Sequence, residues 1–78
     1  MDPLNDLVGQ KIRDHRIARG VTASNLAQAM GYSHCSAAIR RERGSLAITV
    51  VDLCKAAHAL QCAPSTLLPT REEIESNV

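Results

Sequence analysis

Glycine and proline fall along this chain at intervals that leave room only for short helices. Gly20, Gly31 and Gly44 each follow a run of apolar residues at helical spacing, and Pro69 ends the last such run. A glycine just past a helix takes the left-handed conformation that closes the final turn, so it marks a stop. The starts are marked as well. Asp2-Pro3 pairs an N-cap acceptor with a proline at the first helical position. Leu4, Leu7, Val8 and Ile12 then recur at helical spacing, and the pattern holds to about Arg19. Thr22 caps a second helix that turns Leu26 and Met30 inward before Gly31 ends it. Ser33 or Ser36 caps a third, which runs to about Arg43. Thr49 with Asp52 three residues later has capping-box spacing. It opens a fourth helix whose inward face is Val50, Leu53, Cys54, Ala57 and Leu60. Ala63-Pro64 begins a fifth through Leu67 and Leu68.

The expected fold is therefore all-α, five short helices forming one domain over residues 1–69. Residues 70–78 are expected to be a short acidic C-terminal tail, in which Thr70 caps one more turn at most. Composition fixes what can fill the core. The 78 residues include no Phe or Trp and a single Tyr, although 45% are hydrophobic. The interior must be built from Leu, Ile, Val and Ala. A chain of this size buries only ~60% of the surface its unfolded form exposes, so a partner subunit would stabilise it further.

Several classes of function are disfavoured. Cys35, Cys54 and Cys62 form no CxxC pair, and an odd number closes no disulfide framework. Reduced thiols and a cytoplasmic location are expected. No signal-peptide pattern and no apolar run near ~18 residues appears, so no membrane partner is expected. Cys54, His58 and Cys62 fall at i, i+4 and i+8, but the apolar face claims Cys54, and free cysteine behaves as a small hydrophobe. Neither a metal nor a cofactor is expected. The sequence has no nucleophile–base pairing and no phosphate-cradling glycine loop, so an enzyme is not expected.

The net charge is +1, but its distribution is uneven. Residues 11–44 hold Lys11, Arg13, Arg16, Arg19, Arg40, Arg41 and Arg43 against only Asp14 and Glu42, while Glu72, Glu73 and Glu75 lie near the end. A basic body of this kind suits an anionic partner.

The segment "KIRDHRIARGVTASNLAQAMGYS" resembles the Xre/Cro family of helix-turn-helix transcriptional regulators, with the lambda-repressor-like fold. Ile12-Arg13, Arg16, Gly20-Val21-Thr22, Leu26-Ala27, Gly31 and Ser33 carry the likeness. Downstream, Glu42-Arg43-Gly44 is similar to the family's close of the third helix, and "TVVDLCKAAHALQCAPSTLL" to its fourth and fifth. The resemblance covers about residues 8–68. It implies an ion pair between Arg16 of the first helix and Glu42 of the third. It also implies double-stranded DNA as partner, a homodimer, and a third helix lying in the major groove.

Three departures bear on function. Ala23 stands where the family usually has a phosphate-touching glutamine. The run from Gly31 to Glu42 is one residue longer than usual, and one residue turns a helix by ~100°. Counting back from Glu42, the inward face becomes Cys35, Ala38 and Ile39, and the outward face Ser33, His34, Ser36, Ala37, Arg40 and Arg41. That outward face carries no Gln or Asn. Arg40, then Arg41, are the candidates for a bidentate contact to guanine, and Ala37 for a thymine methyl. Ser33, His34 and Ser36 are candidates for single bonds. Arg43, Ser45 and the start of the second helix (Thr22, Ala23, Ser24) are candidates for phosphate contacts. Leu67 and Leu68 are candidate dimer contacts. The function expected is sequence-specific DNA binding as a transcriptional regulator, in the sense of a repressor. The alternative is a helix-turn-helix fold that binds another transcription factor as an antiactivator.

Overall fold

The computed structural model describes residues 2–78 and is helical, with no strand among the described residues. The elements are α1 (Pro3–Ala18), α2 (Ala23–Ala29), α3 (Ser36–Glu42), α4 (Val50–Ala59), a 3₁₀ turn (Pro64–Leu67) and α5 (Arg71–Ser76). Side-chain caps set most of the starts. Asp2 accepts from the Leu4 amide at 2.7 Å, with Pro3 at the first helical position. Thr22 accepts from Asn25, and Thr49 and Asp52 form a reciprocal capping box.

Four helices end in the same Schellman geometry. Val21 N donates to Arg16 O, Tyr32 N to Ala27 O, Ser45 N to Arg40 O, and Cys62 N to Ala57 O, all within 2.8–3.0 Å. The left-handed residue that permits this is Gly20, Gly31 or Gly44 in three cases, and Gln61 (φ 56°) in the fourth. A side chain in that conformation is costly, so the last of these turns carries strain the others lack.

The core is aliphatic and dense in alanine. Ile12 of α1, Leu26, Ala27 and Met30 at α2, Ala38 of α3, and Leu53, Ala56, Ala57 and Leu60 at α4 are buried together with Leu67. Alanines at the crossings let helices approach closely, which is how a core without Phe or Trp stays filled.

α4 differs from the expected inward face. Leu53, Ala57 and Leu60 point in, but Val50 is 76% exposed and Cys54 is also exposed. Ala56 and Asp52 take their places. The stripe Leu53, Ala56, Ala57, Leu60 is a clean i, i+3, i+4, i+7 set, and Val50 and Cys54 lie on the stripe beside it. The fifth expected helix is a single 3₁₀ turn, held by Leu67, which is fully buried. Residues 71–76, expected within the tail, form α5. Thr70 and Glu73 cap it reciprocally, and Lys11 Nζ of α1 meets Glu73 Oε1 at 3.1 Å. The Thr70 amide, then Lys11, hold the Glu73 carboxyl below its usual range.

Two features of α1 set the position of α3 and the loop behind it. Asn5 spans the α3–α4 loop: its Nδ2 donates to Leu46 O and its Oδ1 accepts from Ile48 N. Gly9 sits against the backbone of α3, where any side chain would collide with the carbonyls of Arg41 and Glu42.

Candidate nucleic-acid interface

α3 has seven residues, too few to be stable alone in water. Its neighbours hold it from two sides. Toward α1, Arg16 Nε donates to Glu42 Oε2 at 2.7 Å and Nη2 to Oε1 at 3.1 Å, while Nη1 donates to Val21 O. The pair is bidentate and largely dry: the side chains are 15% and 3% exposed. Charge-assisted forks of this kind fix geometry as well as contributing energy.

Toward α4, Arg41 Nε donates to Asp52 Oδ2 at 3.1 Å, Nη2 to the Tyr32 hydroxyl at 2.9 Å, and Nη1 to Ala37 O at 2.8 Å. The guanidinium also lies 4.3 Å from the Tyr32 ring centroid, a cation–π distance. Tyr32 donates its hydroxyl proton to Asp52 Oδ1 at 2.6 Å. Asp52 therefore serves twice, since its Oδ2 also accepts from the Thr49 amide as part of the α4 capping box. Burial pushes the Asp52 carboxyl up, but hydrogen bonds from Tyr32, Thr49 and Arg41 outweigh it and hold the carboxyl below its usual value. The bond to Asp52, with desolvation, raises Tyr32.

This cluster corrects the sequence reading of Arg41. Its side chain is 15% exposed with all its nitrogens engaged, so it does not stand on the outward face. The remaining inward positions are Ala38 and Glu42, buried, with Cys35 and Ile39 half-buried. Tyr32 and Asp52 were missed as partners. The one signal in the sequence was Asp52 at three residues from Thr49, and the capping box accounts for that signal by itself.

The turn between α2 and α3 runs from residue 30 to residue 35. Residues 33 and 34 form a bend and Cys35 a turn, and α3 begins at Ser36. Neither Ser33 nor Ser36 caps it. His34 Nδ1 accepts from the Ser36 amide at 3.1 Å, because the bend folds the imidazole back over the first turn.

Ser33, His34, Arg40, Arg43 and Ser45 are exposed, and Ser36 and Ala37 are half-buried. At the start of α2, Thr22 and Ser24 are exposed and Ala23 is half-buried. Arg43 and Ala23 line a polar cleft of about 480 Å³ with Arg13, to which the sequence assigns no phosphate contact. Leu67 is fully buried and available to no partner, whereas Leu68 is 46% exposed. Leu68 borders a second, apolar groove of about 280 Å³ with Leu4, Val8, Val50 and Ile74. No helix among the described residues is long and apolar enough to cross a membrane.

A family profile described as the BetR domain matches residues 4–77. Among solved structures, the chain is similar to the restriction-modification controller protein C.AhdI from Aeromonas hydrophila, with 32% identity and a TM-score of 0.75. That match covers 81% of this chain and 94% of the other. The clp gene regulator ClgR from C. glutamicum is also similar, with 27% identity and a TM-score of 0.78 over 86% of each chain. Comparison with curated proteins gives no match. Both structural neighbours are Xre-like helix-turn-helix transcriptional regulators. The chain belongs to the BetR-domain family and has the helix-turn-helix fold of these regulators.

Proposed function

We propose that this chain is a sequence-specific DNA-binding transcriptional regulator that represses by occupying its site, with α3 in the major groove. One observation carries the reading. α3 is clamped from behind by two dry ion pairs, while Arg40 on its exposed side forms no ion pair among the described residues. A rigid helix with one unpaired guanidinium outward suits bidentate readout of guanine O6 and N7. Ser33, His34, Ser36 and Ala37 flank that contact. Arg43, Ser45 and the residues at the start of α2 meet the backbone, with Arg13 added beside the polar cleft. The two neighbours named as regulators support the same class.

The active form in this proposal is a homodimer on a pseudo-palindrome whose half-sites lie one helical turn, ~10 bp, apart or a multiple of it. Leu68 and the apolar groove beside it are the surface for the second copy. That groove also favours a second reading, an antiactivator that docks another transcription factor.

Binding to a randomised duplex pool at two salt concentrations separates the readings. DNA binding falls steeply with salt through counterion release. Arg40→Ala should cost about 1–3 kcal/mol and relax preference at one base pair. Arg43→Ala should weaken all sequences alike and lower the salt slope by about one. If the parent chain binds no duplex even at low salt, the docking reading takes its place.

A further inference from the structure

His34 stands at the edge of the exposed face of α3, and its surroundings fix its hydrogen-bonding character. The Ser36 amide can only donate, and it donates to His34 Nδ1 at 3.1 Å. The Ser36 hydroxyl lies 3.0 Å from the same nitrogen, and the Cys35 thiol 3.9 Å from it. The hydroxyl and thiol can take either role, but the amide cannot, so Nδ1 must hold its lone pair free to accept from it. In the neutral imidazole the proton then sits on Nε2. The two nitrogens diverge across the five-membered ring, so with Nδ1 turned onto the helix start, the Nε2–H leads away from it.

We propose that His34 is a specificity-determining contact that meets DNA as a donor only, through Nε2–H. The inference rests on the DNA-binding reading and adds the chemistry of one position. A donor-only imidazole selects hydrogen-bond acceptors. On DNA these are a base edge (guanine N7 or O6, thymine O4, adenine N7) or a phosphate oxygen, and the amino groups of cytosine and adenine are refused. The bend before α3 thereby converts an ambivalent side chain into a one-way reader.

Two substitutions divide the roles of the ring. His34→Asn keeps an acceptor near the Nδ1 position and removes the distal donor. His34→Gln keeps a distal donor and removes the acceptor of the Ser36 amide. Affinity and base preference of each variant would be measured at pH 8 beside thermal melting, together with the imidazole nitrogen NMR spectrum of the parent. The parent should show Nε2 protonated and Nδ1 bare. His34→Asn should melt like the parent yet bind its best duplex about five-fold more weakly, the worth of one neutral hydrogen bond. His34→Gln should melt lower and keep most of the binding per folded molecule. If the acceptor is a base, the loss in His34→Asn is confined to one base pair. A loss equal on every sequence would place the bond on a phosphate, which carries no base information, and would overturn the specificity role. The proposal is overturned if Nδ1 carries the proton, or if His34→Asn binds and discriminates like the parent. A parent chain that binds no DNA while showing the Nε2–H tautomer instead refutes the DNA reading, and this contact with it.

Discussion

A Cβ atom on Gly9 would stand 2.8 Å from the carbonyl oxygen of Glu42, and closer still to that of Arg41. The obstruction is backbone, so it cannot swing aside. Gly9→Ala should therefore force α1 and α3 apart. Alanine returns about 0.5–1 kcal/mol in helix propensity, but overpacking against a fixed backbone costs about 1–3 kcal/mol. The net effect should be a lower melting temperature, by several degrees in a domain of this size. An unchanged melt would mean the two helices have slack between them.

The Arg16–Glu42 fork supplies a second test. Glu42→Ala leaves a guanidinium in a largely dry site with only the Val21 carbonyl for company. Breaking a buried pair from one side costs about 3 kcal/mol or more. Against about 5 kcal/mol of total stability, chemical denaturation should find the variant close to unfolded. A denaturation midpoint equal to the parent's would show that the pair contributes nothing.

The strained end of α4 offers a change in the opposite direction. Gln61 holds a left-handed conformation at a position glycine fills in the three equivalent turns. Its side chain accepts one long bond from Arg19, at 3.5 Å, which offsets little, and the bond from Arg19 to the Gln61 carbonyl at 3.4 Å survives the substitution. Gln61→Gly should stabilise the fold by about 1 kcal/mol. Destabilisation would mean that the Arg19 contact outweighs the backbone cost.

The Tyr32–Asp52–Arg41 cluster makes stability depend on pH at both extremes. Asp52 is held below its ordinary value of 3.8, so its contribution is present above that pH and is lost as acid carries the folded protein through the lower one. Tyr32 is raised above 10.0, so its contribution is present below pH 10.0 and is lost as alkali ionises it in the fold. Tyr32 is the chain's only tyrosine, so ultraviolet titration of native protein reports it alone. Its midpoint should lie above 10.0 in the parent and fall in Asp52→Asn. Coincident midpoints would show that the hydroxyl and carboxylate are uncoupled.

Local chemistry explains what could be read from the sequence. The starts at Asp2, Thr22 and Thr49, and the stops at Gly20, Gly31 and Gly44, depend on residues within one turn of the boundary, so the chain itself displays them. The start of α3 carries no such signal: its N-cap, Cys35, makes no side-chain cap bond, and the Ser36 amide goes to the His34 imidazole, which no serine-based rule anticipates. Contacts across the fold were less visible. Apolar spacing put Val50 and Cys54 of α4 inward because it scores them above Ala56, whose value lies in being small where helices cross. Arg41 looked like a groove-facing arginine because its partners, Tyr32 and Asp52, are nine and eleven residues away on other elements. Gly9 gives no sign of its role until α3 is laid across it.

Adjacent residues of α3 carry opposite charges to opposite sides, Arg41 toward Asp52 of α4 and Glu42 toward Arg16 of α1. Suppose α3 docked one residue out of register, a rotation of ~100°. Slipped one way, Arg40 would keep a pair with Asp52 but Arg41 would face Arg16. Slipped the other way, Glu42 would face Asp52 and Arg43 would face Arg16. Each error brings like charges together in sites that exclude water, where repulsion is poorly screened. Attraction alone would tolerate a helix that wobbled between settings. The alternation of sign makes the wrong settings repulsive, so two short turns of helix keep a single orientation that neither their length nor their small side chains could impose.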